Sequence, residues 1–218
     1  MRTLLVATTN PGKLREIRAL MAGVPVHLIG LADMPPIEEP EETGTTFDEN
    51  AQLKARYYAA HTGLWTVAED SGLVIDALDG EPGVRSARFL RPDATYEERF
   101  AEIYRRLNAR PSGLRTARFV AALASVDRGE VVYETTGTIE GEIAERPSGS
   151  GGFGYDPIFF YPPYGKTLAD VSEADKIAVA HRGVAFRKFA PWVIERLKMK
   201  SGDFLPTADC PLPADEER

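Results

Sequence analysis

Apolar and polar positions along this chain change period several times, and the changes mark its elements. Thr3 to Ala7 is an apolar run suited to a buried strand. The polar turn Thr8-Thr9-Asn10-Pro11-Gly12-Lys13 separates it from Leu14, Ile17, Leu20 and Met21, which share one face of a helix ending at Gly23. Val24 to Ile29 reads as a second strand. A strand, turn, helix and strand in this order predict a mixed α/β fold. A loop rich in Pro and Glu covers residues 30–45. Thr46-Phe47-Asp48-Glu49 is a capping box, in which Thr46 accepts from a first-turn amide and Glu49 reaches back. It predicts a helix from about Phe47 to His61, stopping near Gly63.

A short strand, Trp65 to Ala68, is expected next, with Glu69-Asp70-Ser71-Gly72 at its end and strand-like residues Leu73 to Ile75 beyond. Gly80-Glu81-Pro82-Gly83 is loop, and Thr95-Tyr96-Glu97-Glu98 repeats the capping box ahead of a helix through Phe100, Ile103, Tyr104 and Leu107. Residues 115–145 read as a long hairpin. Ala117, Phe119, Ala121 and Leu123 alternate on the way out, Asp127-Arg128-Gly129 turns, and Val131, Tyr133 and Ile139 lie on the return. A Gly- and Pro-rich loop over 146–156 leads to a short strand, Pro157 to Tyr161. From Ser172 the pattern is helical to about Lys200. Pro191, lacking an amide donor, is expected to kink or divide it. There is no internal repeat and no clean linker, so residues 1–200 read as one domain, subdivided at most into two lobes on a continuous sheet. Residues 201–218, with three prolines, read as a loose tail.

Composition narrows the class. With 218 residues, 43% apolar and 27% charged, the chain can bury a real core as a globular protein. No apolar run approaches the roughly 18 residues of a membrane helix. Lys13 and Arg15 interrupt the N-terminal apolar stretch too early for a signal peptide. The single cysteine, Cys210, excludes an internal disulfide framework and a multi-cysteine zinc site, and no Asn-X-Ser/Thr sequon occurs. The expectation is a cytoplasmic protein with no membrane partner. The net charge of −7 is unevenly placed. Residues 38–49 hold six acids and no base, residues 201–218 are net −4, and the remainder is +3. An acidic chain is a poor candidate for tracking long nucleic acid. It is compatible with a small polyanion held in a local basic pocket with a metal ion between.

Five constellations could carry chemistry. Thr8 to Lys13 would present backbone amides at a helix N-terminus, where phosphate binds favourably. Lys13 adds a charge, and Thr8, Thr9 and Asn10 add donors. It is not a Walker A loop, because Ala7 and Leu14 stand where Gly and Ser/Thr are needed; an ordinary Asn-Pro-Gly strand–helix turn explains the same residues. Glu69 and Asp70, placed at the carboxyl edge of a sheet, suit Mg2+ or a general base. Strand alternation sends them to different sides, so one of them at most serves a shared metal, and a plain polar turn is the alternative. The acidic loop Glu38 to Glu42 reads either as solvated or as the source of a further metal ligand. In Ser148 to Asp156, the glycines at 149, 151, 152 and 154 permit close backbone approach to a ligand. Phe153 and Tyr155 either stack on a base or pack back onto the core. Lys176 and His181-Arg182, the latter opening a helix, could read exocyclic groups of a base or bind phosphate, although a lone His is more often structural. His27 and His61 receive no role, and no Gly-X-Ser-X-Gly elbow supports a serine nucleophile.

In order and spacing these segments resemble the inosine triphosphate pyrophosphatase family. The resemblance rests on Thr8 to Lys13; on Glu41-Glu42-Thr43-Gly44 with Thr46-Phe47 and Glu49-Asn50-Ala51; on Glu69-Asp70-Ser71-Gly72-Leu73; on Pro82-Gly83 and Ser86-Ala87-Arg88; on Gly151-Gly152-Phe153-Gly154-Tyr155-Asp156-Pro157-Ile158-Phe159; and on Lys176 and His181-Arg182-Gly183, together spanning about residues 3–199. It implies an α/β fold with an elongated mixed β-sheet flanked by helices, two lobes around a central nucleotide cleft, and a homodimer. The implied reaction is Mg2+-dependent hydrolysis of ITP, dITP or XTP, purine nucleoside triphosphates, to the monophosphate and pyrophosphate. By motif, Thr8, Thr9, Asn10, Pro11, Gly12 and Lys13 would hold the triphosphate. Asp70 would be metal ligand and proton acceptor, Lys13 the second catalytic residue, and Ser71 a substrate contact. Phe153, Gly154, Tyr155, Asp156, Lys176, His181 and Arg182 would line the nucleotide site. Glu41 is favoured as the other metal ligand, with Glu39 and Glu42 left open. Protonated His181 or Arg182 would donate to the oxygen at purine C6 and so reject adenine. Ala180 departs from the family, whose members often carry Ser before His-Arg, and Pro191 also departs from its pattern. The alternatives are a Maf-type pyrophosphatase for modified pyrimidines or dTTP/UTP, and a non-catalytic nucleotide-binding module. The Phe-Gly-Tyr-Asp and His-Arg segments favour the purine branch.

Overall fold

The structure is a computed structural model that describes residues 1–110 and 113–199. The opening apolar run becomes β1 (Arg2–Val6), followed by α1 (Pro11–Leu20) and β2 (Val26–Gly30), which lies parallel to β1. Asn10 decides where α1 begins. Its side chain accepts from the Gly12 and Lys13 amides at 2.9 and 3.1 Å, and Pro11 takes the first helical position, where a missing amide costs nothing. α2 (Phe47–Thr62) starts at the Thr46/Glu49 capping box and ends at left-handed Gly63, as its pattern predicts. α3 (Tyr96–Asn108) likewise starts at the Thr95/Glu98 box.

The next strand corrects the sequence reading. β3 (Trp65–Ile75) is one eleven-residue strand, not two short ones around a polar turn. It pairs without a break against β4 (Thr116–Asp127), from Thr66 opposite Val126 to Ile75 opposite Ala117. Glu69, Asp70, Ser71 and Gly72 therefore sit in mid-strand with their backbone groups in the ladder. Gly72 is required by a close approach: a Cβ there would lie 2.3 Å from Ser86 Oγ and 2.5 Å from the Gly83 carbonyl oxygen. That contact comes from a 3-10 turn over Gly83–Arg88, which Ser86 pins by accepting from the Leu73 amide at 2.9 Å. β5 (Glu130–Ile143) completes the expected hairpin with β4. β6 (Phe159–Tyr161) is shorter than expected, because Pro157 and Ile158 belong to a 3-10 turn, and β7 (Lys166–Thr167) closes the edge. The described residues form a mixed sheet of seven strands in the order β2-β1-β3-β4-β5-β6-β7.

The C-terminal helical stretch divides, but not at Pro191. α4 (Glu173–Val179) ends and α5 (His181–Lys198) begins at extended Ala180, and Pro191 lies inside α5. The lost amide bond of Pro191 is tolerated on a helix anchored by buried Phe186, Phe189 and Val193. Residues 201–218, expected to be a loose tail, lie outside the described residues.

The core follows the alternation of β1 and β3. Leu4, Val6, Trp65 and Val67 face α1 and α5, whereas Leu5, Ala7 and Ala68 face α2. Beyond Gly72, Leu73 and Ile75 join a separate cluster with α3, Phe119 and Ile143. The polar segment of β3 thus lies where one apolar core gives way to the next. Because β1 and β3 are parallel, with Val6 opposite Val67, the turn leaving β1 is delivered against that segment.

Candidate active site

Two cavities meet across Ser71. The larger, about 400 Å³, is lined by Thr8, Thr9, Asn10 and Lys13 from the first turn, Glu42 from the acidic loop, Lys54 of α2, Glu69 and Asp70 of β3, and Arg88. The smaller, about 90 Å³, is lined by Phe119, Phe153, Gly154, Tyr155, Asp156, Lys176, His181 and Arg182. Both include Asn10, Lys13, Ser71 and Ala87, so a charged cleft opens directly into an aromatic pocket. One expectation about the turn changes. The Gly12 and Lys13 amides are engaged by Asn10 and the Leu14 amide by the Asn10 carbonyl at 3.1 Å, so these are not free to cradle phosphate. The Lys13 ammonium and the side chains of Thr8 and Thr9 line the cleft there.

On one face of β3, charges of alternating sign form a buried chain. Lys13 Nζ lies 3.0 Å from Glu69, which accepts from Arg182 Nη2 at 2.8 Å. Arg182 also pairs with Glu16 of α1. Glu16 meets Lys176 at 2.8 Å, and Lys176 donates to Asp156 at 2.6 Å. Asp156 finally accepts the Phe153 amide at 2.8 Å, fixing the glycine loop, where Gly152 turns through φ 68°. Three acids and three bases balance, which makes their joint burial tolerable. Burial lowers the pKa of Lys13 against the pull of Glu69. For Glu69 burial is outweighed by Arg182 and Lys13, and its carboxyl is held well below the usual range. Arg182 stays charged, because its two carboxylate partners outweigh its burial.

On the opposite face, Asp70 Oδ1 lies 2.7 Å from Lys54 Nζ, which is also 2.7 Å from Glu42 Oε1. The other Glu42 oxygen pairs with Arg88 at 2.7 Å. Buried Asn50 donates to Asp70 Oδ2 at 3.3 Å and accepts the Gly44 amide at 2.8 Å, tying the acidic loop to the strand. Burial pushes the Asp70 carboxyl above its ordinary range despite Lys54. The same burial of Glu42 is outweighed by Lys54 and Arg88, which hold its carboxyl low. Of two carboxylates flanking one cation, Asp70 is therefore the better proton acceptor.

The structure distributes the expected site residues as follows. Thr8, Thr9, Asn10, Lys13, Asp70 and Ser71 share the charged cleft, and Pro11 and Gly12 form the helix start beneath it. Glu41 is exposed and outside both cavities; Glu42 takes the inward position and Glu39 lines the wall. Phe153 is half-buried with Lys176 Nζ 4.4 Å from its ring centre, whereas Tyr155 packs into the core and donates its hydroxyl to the Ser86 carbonyl at 2.8 Å. Arg182 is committed to Glu69 and Glu16. His181 is not the protonated donor that was expected. Burial and the neighbouring Arg182 charge hold its pKa well below 6.5, and its neutral ring stacks on Phe119 at 4.9 Å. Its Nδ1 has no hydrogen-bond partner among the described residues. Sequence reasoning missed Glu16, Lys54 and the bridging role of Asn50. The available signal was helical spacing, with Glu16 three residues after Lys13 and Lys54 four after Asn50.

A neutral buried histidine makes stability depend on pH. Below about pH 6.5 the unfolded chain binds a proton that the folded ring refuses, so stability falls with pH by up to about 1.4 kcal/mol per unit. The loss continues down to the depressed folded-state value. Urea titrations from pH 8 to 5 should show this slope, and His181→Phe, which keeps an aromatic ring against Phe119, should flatten it. An unchanged slope in the variant assigns the effect elsewhere.

Residues 4–192 match the Ham1 family model. A dITP/XTP pyrophosphatase of Exiguobacterium sp. is 44% identical over 195 residues, which cover 89% of this chain and 98% of that one. A protein of the same name from Geobacter sulfurreducens is 47% identical over 185 residues, covering 85% and 93%. The solved structure of a HAM1 protein from Coxiella burnetii matches with a TM-score of 0.82 at 38% identity, covering 89% of this chain and all of that one. Every residue named above in the two cavities falls inside the matched span, and the chain belongs to the Ham1 family.

Proposed function

We propose that this protein hydrolyses deaminated purine nucleoside triphosphates (ITP, dITP and XTP) between the α and β phosphorus atoms, releasing the nucleoside monophosphate and pyrophosphate. The observation that carries this reading is the shared wall of the two cavities. A charged cleft with room for a triphosphate continues, past Ser71, into an aromatic pocket suited to a base. The names of the Exiguobacterium and Geobacter relatives support it.

Asp70 and Glu42 fit Mg2+. Their carboxylates already converge on a single positive atom, Lys54 Nζ, and Mg2+ takes one or two carboxylates with phosphate oxygens and water completing its shell. Glu42 therefore replaces Glu41 as the proposed second ligand. When bound, Mg2+ supplies positive charge to the phosphate oxygens and makes water easier to deprotonate.

The remaining work falls to the chain. Asp70, made more basic by burial, takes the proton of the attacking water. Lys13, held by Glu69, balances charge developing on the phosphates together with Thr8 and Thr9. Phe153 supplies the stacking surface. A neutral imidazole carries one N–H donor, and His181, with Nδ1 unpartnered at the pocket, is suited to meet the oxygen that deaminated purines carry at C6. An adenine amino group there would leave two donors facing each other. The acting species in this proposal is a cytoplasmic homodimer; among the described residues no helix is long and apolar enough to cross a membrane.

The test is to incubate the protein with ITP, XTP, ATP and dTTP in Mg2+ and separate the products by anion exchange. ITP should give inosine monophosphate and pyrophosphate, with ATP slower by about 10⁴ in kcat/KM, the discrimination available to a polar mismatch. EDTA should stop the reaction and added Mg2+ restore it. Orthophosphate and a nucleoside diphosphate would place cleavage at the γ position and overturn the proposal. Preference for dTTP would move the protein to the pyrimidine branch.

A further inference from the structure

We propose that Lys54 is the resident counter-ion of the metal site: its ammonium holds Glu42 and Asp70 together in the free protein and must leave for a divalent cation to enter. The inference rests on the reading that these two carboxylates take the metal.

Lys54 Nζ sits between one oxygen of each carboxylate at 2.7 Å. The two remaining oxygens have other partners, Arg88 on Glu42 and the neutral amide of Asn50 on Asp70. Among the described residues, Lys54 is therefore the cation bonded to Asp70. Without it, two like charges would face each other in a cleft where the side chains of Asp70 and Glu42 are only 8% and 23% exposed. Such an arrangement is unfavourable unless some cation lies between them. Lys54 satisfies that need when no metal is bound.

The same contact makes Lys54 a competitor. Two cations cannot share one gap, so metal binding to the free protein must include the work of expelling the ammonium. A lysine is suited to this, because its four-carbon stem swings without moving α2. The cleft it lines also includes Lys13, Thr8 and Thr9, where the triphosphate is proposed to lie. A metal arriving with a nucleotide gives the displaced ammonium a new anionic partner; a metal arriving alone does not. Metal and polyphosphate should therefore bind with positive coupling, each raising the affinity for the other by the same factor.

Mn2+ is the probe, titrated by calorimetry into the metal-stripped full-length protein. Lys54→Gln should bind Mn2+ about tenfold tighter than wild type or better, because a charge at contact distance has been removed from the gap. Lys54→Arg, which keeps the charge, should stay near wild type. The unaltered protein gives a second readout: reductive methylation of Lys54, followed by mass spectrometry, should rise when Mg2+ is added. Equal or weaker Mn2+ binding by Lys54→Gln, or labelling that does not rise, overturns the proposal. Asp70→Asn and Glu42→Gln separate the two levels. If both retain wild-type Mn2+ affinity, the metal reading itself fails and Lys54 with it. If both lose affinity while Lys54→Gln gains none, only the role of Lys54 falls.

Discussion

Asp70→Asn should lower kcat for ITP by about 10³-fold or more while the protein stays folded. General-base assistance alone contributes about 10²–10⁴, and a lost metal ligand adds to it. The substitution keeps the shape of a side chain set in the middle of an eleven-residue strand. It removes a negative charge without stranding a positive one, since Lys54 keeps Glu42 at 2.7 Å. Burial already works against the charged form of Asp70, so replacing it by a neutral group changes stability little. The measurement is steady-state kinetics at saturating Mg2+ beside a thermal melt. Activity above about a tenth of wild type would take Asp70 out of its assigned role. A collapsed melting curve would instead make it a structural residue.

What could be read from the sequence was local. Both capping boxes place their helices because the bonds concerned join residues three apart, Thr46 with Glu49 and Thr95 with Glu98. The β4–β5 hairpin was legible for the same reason. β3 was not, because Glu69-Asp70-Ser71-Gly72 has the composition of a turn. Its side chains are stabilised by Arg182, 113 residues away, and by Lys54 on a different helix. The helix breaks at extended Ala180 rather than at Pro191, and just beyond the break a Cβ at Gly183 would lie 2.1 Å from the Ile177 carbonyl oxygen, so α5 starts close against the end of α4. The choice of Glu42 over Glu41 depends on where Lys54 and Arg88 arrive. Spacing within a run of four acids over residues 38–42 contains no information about that. His181 was legible as a pocket residue and illegible as a neutral one, because its ionisation depends on burial beside Arg182.

Arg182→Met should destabilise the protein by about 3–5 kcal/mol, the loss typical when one partner of a buried ion pair is removed. For a chain of this length that corresponds to a fall in Tm of about 6–20 °C. Arg182 is 2% exposed and joins Glu69 of β3 to Glu16 of α1, so its loss leaves two buried carboxylates with a lysine each, one of which is shared with Asp156. Methionine fills the volume and supplies no charge. With its strongest partner gone, burial should drive the Glu69 carboxyl upward from its depressed value. The sign of the pH dependence then changes. In the wild type Glu69 contributes stability that is present above its unfolded value near 4.5 and lost as pH falls through the folded one. In Arg182→Met the carboxyl is protonated more readily folded than unfolded, so lowering the pH toward 5 should shrink the difference between the two proteins. A Glu69→Gln partner mutation should recover part of the loss at neutral pH, because the stranded charge is gone; a double-mutant cycle measures that coupling. A loss under about 1 kcal/mol, or a cycle that shows no coupling, would mean that the alternating chain from Lys13 to Asp156 does not depend on its central arginine.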